Sequence, residues 1–332
     1  MFFSLIIPVY NRPFEIGELL DSLSATTFDK PFEVVVVEDG SSEKCVEVVE
    51  MFQDKLDISY YYKDNSGPGD SRNFGMRKAK GDYFLIFDSD CIIPPQYLNK
   101  VEESLSAHFV DCFGGPDAAL DSFTNIQKAI NFAMTSIVTT GGIRGSSELV
   151  GKFQPRSFNM GLSKNAFEAS GGFGNIHPGE DPDLAIRLWE LGFQTNLIRE
   201  AFVFHKRRID WNKYFTQVNK FGKARPILDF WYPKYSKLTF FAPSVFVITA
   251  VLAVILAILG YVFGIYSLVG YFIGVLLLSA IKNKSIKIGF LSVAAVAIQF
   301  YGYGTGFLKS FIKVRVLKQN PQEAFPELFF RK

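Results

Sequence analysis

The sequence is poor in several features that would narrow its chemistry quickly. It holds only three cysteines, Cys45, Cys91 and Cys112, among 332 residues. They are too few and too scattered for a disulfide framework or a zinc site, and read as buried thiols of a reducing compartment. Net charge is nearly absent, with 35 Lys and Arg against 33 Asp and Glu. The chain as a whole therefore carries no signal for binding nucleic acid, and any electrostatic function must be local. The strand-like run at residues 2–9 follows no basic stretch and no small-residue cleavage site, so a secretory signal is not expected. Internal repeats and low-complexity tracts are missing too. One absence is itself a signal: residues 238–281 contain no charged side chain.

What is present up to about residue 205 is alternation. Residues 4–9, 33–37, 58–62 and 83–87 read as strands, and residues 13–25, 42–54 and 69–80 as helices. Val34-Val35-Val36-Val37 is a β-branched run of the kind buried on both faces. The pattern predicts an α/β fold, a mainly parallel sheet with helices on both sides. Ligands in such sheets bind beyond the carboxyl ends of the strands, which places Tyr10-Asn11-Arg12, Glu38-Asp39-Gly40 and Asp88-Ser89-Asp90 along one rim. Between residues 115 and 178 the pattern weakens. Gly141-Gly142-Ile143-Arg144-Gly145-Ser146-Ser147 reads either as a cover over a site or as a plain surface excursion. Residues 156–161 return to strand character, and Glu180-Asp181-Pro182-Asp183 suits the first turn of a helix over 184–191.

Beyond residue 205 the composition changes. Nine basic residues (Lys206, Arg207, Arg208, Lys213, Lys220, Lys223, Arg225, Lys234 and Lys237) are interleaved with aromatic ones over residues 206–237. A basic, aromatic segment beside an apolar one suits the headgroup region of an anionic bilayer. Residues 238–281 would form about 66 Å of helix, roughly twice a hydrocarbon core, and are expected to give two spans, 238–259 and 264–281. Lys282, Lys284 and Lys287 then form a basic loop on the side of the basic segment. A third uncharged run, 288–308, carries Gly302, Gly304 and Gly306, which permit tight helix packing or a bent, re-entrant course. Three spans are expected, with a basic tail over 309–332.

In Asp88-Ser89-Asp90, two carboxylates one residue apart follow a buried strand. If the strand geometry continued, both would point to one face and would need a cation between them. Mg²⁺ or Mn²⁺ fits such oxygen ligands; the same residues would also make an ordinary polar turn.

With the rim assembled, the sequence resembles the family 2 glycosyltransferases, inverting enzymes with a GT-A fold. The matching pieces are Ser4-Leu5-Ile6-Ile7-Pro8-Val9-Tyr10-Asn11, Val36-Val37-Glu38-Asp39-Gly40-Ser41-Ser42, Gly67-Pro68-Gly69-Asp70-Ser71-Arg72-Asn73-Phe74-Gly75, Lys80-Gly81-Asp82-Tyr83 through Asp90, and Gly179-Glu180-Asp181-Pro182-Asp183-Leu184. They cover about residues 3–205 in register. The resemblance implies a nucleotide pocket lined by Pro8, Tyr10 and Arg12, with Asp39 accepting from a base N–H. It implies Arg72 at the donor diphosphate, Asp88 at the ribose, and a divalent cation (Mg²⁺ or Mn²⁺) on Asp90, with His205 as a second ligand or a structural residue. Asp181 would be the base and Glu180 its support, with Asp183 structural. Where the family more often has Asp, this chain has Glu38. The Gln-x-x-Arg-Trp run of processive members is absent, which argues for transfer of a single sugar.

The resulting expectation is a catalytic domain over 1–205, an interface segment over 206–237 and a transmembrane region over 238–308. The chain would sit in the cytoplasmic membrane with its catalytic domain facing the cytoplasm. It would move one sugar from a nucleotide diphosphate donor, UDP-linked, to a lipid-linked or membrane-proximal glycan acceptor in cell-envelope synthesis, with the bilayer and not nucleic acid as its partner. A synthase acting on polyprenyl phosphate itself shares the same rim residues. A non-catalytic nucleotide-sugar-binding membrane protein is the competing class.

Overall fold

A computed structural model describes residues 1–118, 123–140, 153–205 and 210–330. The Gly141 to Ser147 run and the basic residues Lys206, Arg207 and Arg208 lie outside the described residues. The elements in chain order are β1 (Phe3–Val9), α1 (Pro13–Ser24), β2 (Phe32–Asp39), α2 (Val46–Glu50), β3 (Ile58–Lys63), α3 (Pro68–Lys78), β4 (Tyr83–Phe87), β5 (Cys91–Ile92), α4 (Tyr97–Ala107), β6 (Cys112–Gly114) and β7 (Asp117–Ala118). They continue with α5 (Asn125–Thr135), α6 (Ile137–Thr140), β8 (Asn159–Ser163), α7 (Lys164–Ser170), α8 (Glu180–Glu190), β9 (Thr195–Leu197), β10 (Val203–His205), α9 (Trp211–Trp231), α10 (Ala242–Ile258), α11 (Phe263–Asn283) and α12 (Ile286–Ser310). Two compact units result. The first comprises residues 1–118, 151–206 and 329–332, and the second residues 119–150 and 207–328.

The first unit is built on a seven-stranded sheet of order β3-β2-β1-β4-β8-β6-β9. The β1–β2, β2–β3 and β1–β4 pairs are parallel, whereas β8 runs antiparallel to both β4 and β6. Side chains alternate between the two faces as the strand period of two requires. Phe3, Leu5, Ile7, Val34, Val36, Leu85 and Phe87 pack with Leu19, Leu20 and Leu23 of α1 and Leu98 and Val101 of α4. Ile6, Val35, Val37, Phe84 and Ile86 pack instead with Met76 of α3 and Leu184 and Leu188 of α8. The uninterrupted apolar runs thus reflect burial on both faces. A small second sheet of order β5-β10-β7 holds the segment after β4.

Parallel pairing of β1 with β2 and β4 brings the ends of all three strands to one rim. Two predicted boundaries shift there. The helix expected over 42–54 is regular only in α2, with turns beyond it, and α8 starts at Glu180, so the acidic pair lies inside the helix.

Among the described residues of the second unit, three helices are long and apolar enough to cross a membrane: Leu238–Ile258, Phe263–Asn283 and Ile286–Val316. The glycines of α12 take the close-packing alternative. A Cβ at Gly306 would overlap the Asn219 carbonyl oxygen of α9, and one at Gly222 of α9 would overlap the Tyr303 carbonyl of α12. Two polar contacts tie the same helices: Tyr214 donates its hydroxyl to Gln299 (2.7 Å), and Asn219 donates to the Gly302 carbonyl (2.9 Å). Apolar side chains on much of α10 and α11 remain exposed, among them Val251, Ile255, Ile273 and Leu277. Such a continuous apolar surface is what a hydrocarbon environment accommodates.

Candidate active site

The rim of the first unit gathers the charged residues into two linked groups. The first surrounds Asp90. β4 stops at Phe87, and the chain turns, with the Cys91 N–H donating to the Asp88 carbonyl (3.1 Å). Strand geometry therefore does not continue through Asp88 and Asp90, and the two carboxylates engage different cations. Asp90 forms an ion pair with Arg12 through Oδ2, while its Oδ1 lies 3.2 Å from Nε2 of His205. Burial alone would raise the Asp90 carboxyl, but the charges of His205 and Arg12 outweigh it and hold the group well below the usual carboxylate range. The Phe158 ring stacks on the His205 imidazole, centroids 4.7 Å apart, and so orients it.

Ligand atoms of Asp90, Cys91 and His205 lie within 4.8 Å of one another. A carboxylate oxygen and an imidazole nitrogen suit a divalent cation that also takes phosphate oxygens. Cys91 does not fit that set. Burial, aided by Asp90 and Asp88, keeps its thiol protonated, and its Sγ donates toward the Phe158 carbonyl (3.4 Å). Asp90 and His205 thus have the chemistry to hold such a cation, with the remaining positions left to a ligand.

The second group is centred on Arg72, which α3 carries into the interior. Its Nη2 donates to Asp88 (2.7 Å), its Nη1 lies 3.3 Å from Glu180, and its guanidinium sits over the Phe173 ring. Gly67 caps α3 with φ +92° and Pro68 occupies its first position, a start that glycine and proline favour. Glu180 also takes Nδ1 of His177 at 2.8 Å and the Gly179 N–H at 3.0 Å. Burial would raise the Glu180 carboxyl, yet His177 and Arg72 pull it down to about 2. Asp181 is the opposite case. Burial, then the neighbouring Glu180 charge, push it up to about 6 against the pull of Arg72 and Arg156. Its Oδ1 is buried without a hydrogen-bond partner among the described residues. Two adjacent carboxylates are thereby driven apart in acidity, one fixed as an anion and one poised near neutrality.

The remaining predicted residues line the same rim. Tyr10 follows β1 and is 54% exposed, and Pro8 is half-buried. Asp39 is buried and already accepts from Lys63 (2.6 Å) and the Ser66 N–H (3.0 Å) through Oδ1 and from the Gly67 N–H (2.9 Å) through Oδ2. Glu38 turns away from the rim, accepting from the Cys45 N–H and the Tyr60 hydroxyl. Asp183 accepts from Arg187 one turn on.

Three participants were given no role from sequence, although Asn11 was placed on the rim. Lys63 stands opposite Asp39 in the β2–β3 register, which was legible once those two strands were aligned. His177 precedes Glu180 by three residues, a spacing that was open to reading as a local pair. Asn11, at φ 51°, spans from β1 to the loop after β2, its Oδ1 accepting from Ser42 and Glu43 N–H groups.

The chain has relatives. Over 114 residues the chain is 40% identical to the poly(ribitol-phosphate) beta-N-acetylglucosaminyltransferase TarS of Staphylococcus aureus, 33% of this chain and 19% of that protein. It is 30% identical over 154 residues to the glycosyltransferase AglE of Haloferax volcanii, 42% of this chain and 50% of AglE. The chain thus spans about a fifth of TarS and half of AglE. Among solved structures, the mannosyltransferase PcManGT of Pyrobaculum calidifontis aligns with a TM-score of 0.63 at 15% identity, covering 90% of this chain and 86% of its own. The S. aureus TarS structure aligns at 0.52 and 20% identity, covering 70% and 40%. Both likenesses concern the fold, a GT-A type parallel sheet flanked by helices. Residues 4–171 match the profile described as glycosyl transferase family 2, and the chain belongs to that family.

Proposed function

We propose that this chain is a membrane-anchored inverting glycosyltransferase that moves a single sugar from a UDP-sugar to a membrane-associated acceptor, such as a polyprenyl-linked saccharide. The observation that carries the reading is Asp181: a half-buried residue whose carboxyl is raised to about 6, with its buried Oδ1 lacking a hydrogen-bond partner among the described residues, beside an anion held by Arg72 and His177. An inverting transfer needs a base that accepts the proton of an acceptor hydroxyl as the hydroxyl attacks the anomeric carbon from the side opposite the leaving diphosphate. A carboxylate near neutrality is matched to that task.

In this reading Glu180 holds Arg72 and His177 in place and keeps the acceptor side negative. Arg72 meets the diphosphate, its planar fork matching phosphate oxygens, and Asp88 passes from Arg72 to the ribose hydroxyls. Pro8, Tyr10 and Arg12 form the nucleotide wall, the exposed Tyr10 ring offering a face to the base. Asp39 fixes the loop of residues 63–67 and, through its remaining accepting capacity, a base N–H. Asp90 and His205 would hold a divalent cation, which neutralises charge on the departing diphosphate. The PcManGT structure is of a complex with GDP-Man and Mn²⁺, which supports a cation of this class.

The three apolar helices and the basic, aromatic α9 support attachment to a bilayer with the catalytic unit on its cytoplasmic side and an acceptor presented there. In this assignment residues 1–205 carry catalysis, 206–237 the interface and 238–308 the membrane anchor. Thermal-shift screening of the purified chain against UDP-, GDP- and dTDP-sugars, with and without Mn²⁺, tests the reading. A UDP-sugar is expected to raise the midpoint, more so with Mn²⁺, by mass action. Stabilisation by none of these ligands would sink the proposal.

A further inference from the structure

Residues 329 and 330 belong to the first unit, although the chain reaches them directly from the second. Phe329 forms an antiparallel bridge with Ile176, and the Phe330 N–H donates to the Asn175 carbonyl at 3.1 Å. This fixes the Phe330 ring between two loops. On one side it lies so close to Gly67 that a Cβ at Gly67 would overlap it. On the other its centroid is 6.0 Å from that of His177, the rings tilted by 47°.

Both neighbours lead directly into the site. Gly67 donates its N–H to Asp39 and caps the helix that carries Arg72. His177 contacts Glu180, which precedes Asp181. The middle of α3 is already tied to the second loop by Asn73, which exchanges hydrogen bonds with the backbone of Phe173. No such bond joins Gly67 to His177 among the described residues, and the aromatic ring of Phe330 fills that role.

We infer that Phe330 is a positioning residue of the transfer site, holding the Gly67 cap of the donor side against the His177–Glu180 pair of the acceptor side. The inference rests on the proposed function for its catalytic meaning, but its structural half stands alone. Reacting groups misplaced by about 1 Å lose rate far more than affinity. Loss of the ring therefore acts on turnover rather than on donor binding.

The test compares the full-length protein with Phe330→Ala and Phe330→Leu in the same detergent. Amide exchange of the ligand-free proteins should rise in residues 64–68 and 175–180 for Phe330→Ala, remain unchanged in β1 and β2, and be largely restored by leucine. Release of nucleoside diphosphate from UDP-N-acetylglucosamine, UDP-glucose and GDP-mannose with Mn²⁺ gives the second readout. Phe330→Ala should lower kcat about tenfold with the donor KM within about twofold. Unchanged exchange in both segments, or turnover equal to that of the unsubstituted chain, overturns the inference. If the unsubstituted chain releases nucleotide from none of the three donors, the functional reading fails, and the exchange result alone decides the role of Phe330.

Discussion

Arg72 and Glu180 are 108 positions apart in sequence, yet Nη1 of one lies 3.3 Å from Oε1 of the other, and both side chains are buried. The pair joins the helix after β3 to the helix after the cap at Gly179, two elements with no sequence proximity. Breaking a buried ion pair from one side leaves an uncompensated charge, at a cost of about 3–5 kcal/mol. Arg72→Ala should therefore lower the unfolding midpoint strongly as well as abolish turnover. Arg72→Lys keeps the charge but loses the fork that spans Asp88 and Glu180. It should fold, with a smaller loss of midpoint and a raised donor KM. A lysine variant with unchanged KM would remove Arg72 from the diphosphate.

Asp181 gives a prediction whose two halves have opposite signs. As a base it must be ionised, so kcat/KM should fall as pH drops below about 6. Burial and Glu180 raise that value, and Arg72, Arg156 and a hydrogen bond from Ser157 lower it; His177 faces the same pair of carboxylates. The stability effect runs the other way. A carboxyl raised above its ordinary value of 3.8 stabilises the fold fully below that value and loses the contribution as pH rises through about 6. Asp181→Asn should thus abolish turnover yet unfold at a higher temperature than the unsubstituted chain at pH 8, with little difference at pH 4. At about 1.4 kcal/mol per unit, the gain is bounded near about 3 kcal/mol. Calorimetric midpoints across that pH range decide it, and a destabilised Asn variant at pH 8 would contradict the burial argument.

These two residues mark the boundary of what the sequence made legible. The strands were readable because burial on both faces leaves continuous apolar runs such as Val34 to Val37. The rim followed from parallel pairing, and Asp39, Arg72, Asp90 and Asp181 came with the motifs. Contacts that depend on long-range closure were not readable: Glu180 with Arg72, Asp90 with Arg12, and Phe330 with Gly67. The turn after Phe87 sends Asp88 and Asp90 to different partners, which a strand periodicity cannot anticipate. Residues 125–140 also gave no clear pattern, because Ile130, Ala133 and Met134 pack with α9 and α12 in the second unit, not with the sheet.

The pairing of Asp90 with His205 makes a prediction about cation dependence. His205→Ala removes the nitrogen donor and leaves the Asp90–Arg12 ion pair in place. Disturbing even a supporting hydrogen bond of a metal ligand costs about 10- to 100-fold in affinity. The Mn²⁺ concentration giving half-maximal turnover should shift upward by at least that range, while the metal-free midpoint of unfolding should also fall, because His205 helps to hold Asp90 as an anion. Asp90→Asn should remove the Mn²⁺ response altogether. A His205→Ala variant with an unshifted Mn²⁺ curve would make the imidazole structural, held by its stacking on Phe158.

In the second unit the sharpest prediction concerns Gly222 on α9 and the glycines of α12. Gly222 meets the Tyr303 carbonyl, while Gly302 meets Val218 and Phe215, and Gly306 meets the Asn219 carbonyl. Backbones this close leave no room for a methyl group, and the neighbouring atoms at Gly222 and Gly306 are main chain, which cannot rotate away. Overpacking a tight interior costs about 1–3 kcal/mol, and small residues are what permit close helix packing. Gly222→Ala and Gly306→Ala should each lower the unfolding midpoint in detergent. The double variant should lose less than the sum, because the first substitution already separates the helices both glycines serve. Gly274, whose added Cβ meets nothing within 4 Å, is the matched control. Gly274→Ala should leave the midpoint unchanged or raise it slightly, since alanine favours the helix by about 1 kcal/mol over glycine. A Gly222→Ala midpoint that changes no more than that of Gly274→Ala would mean that close approach does not govern these positions.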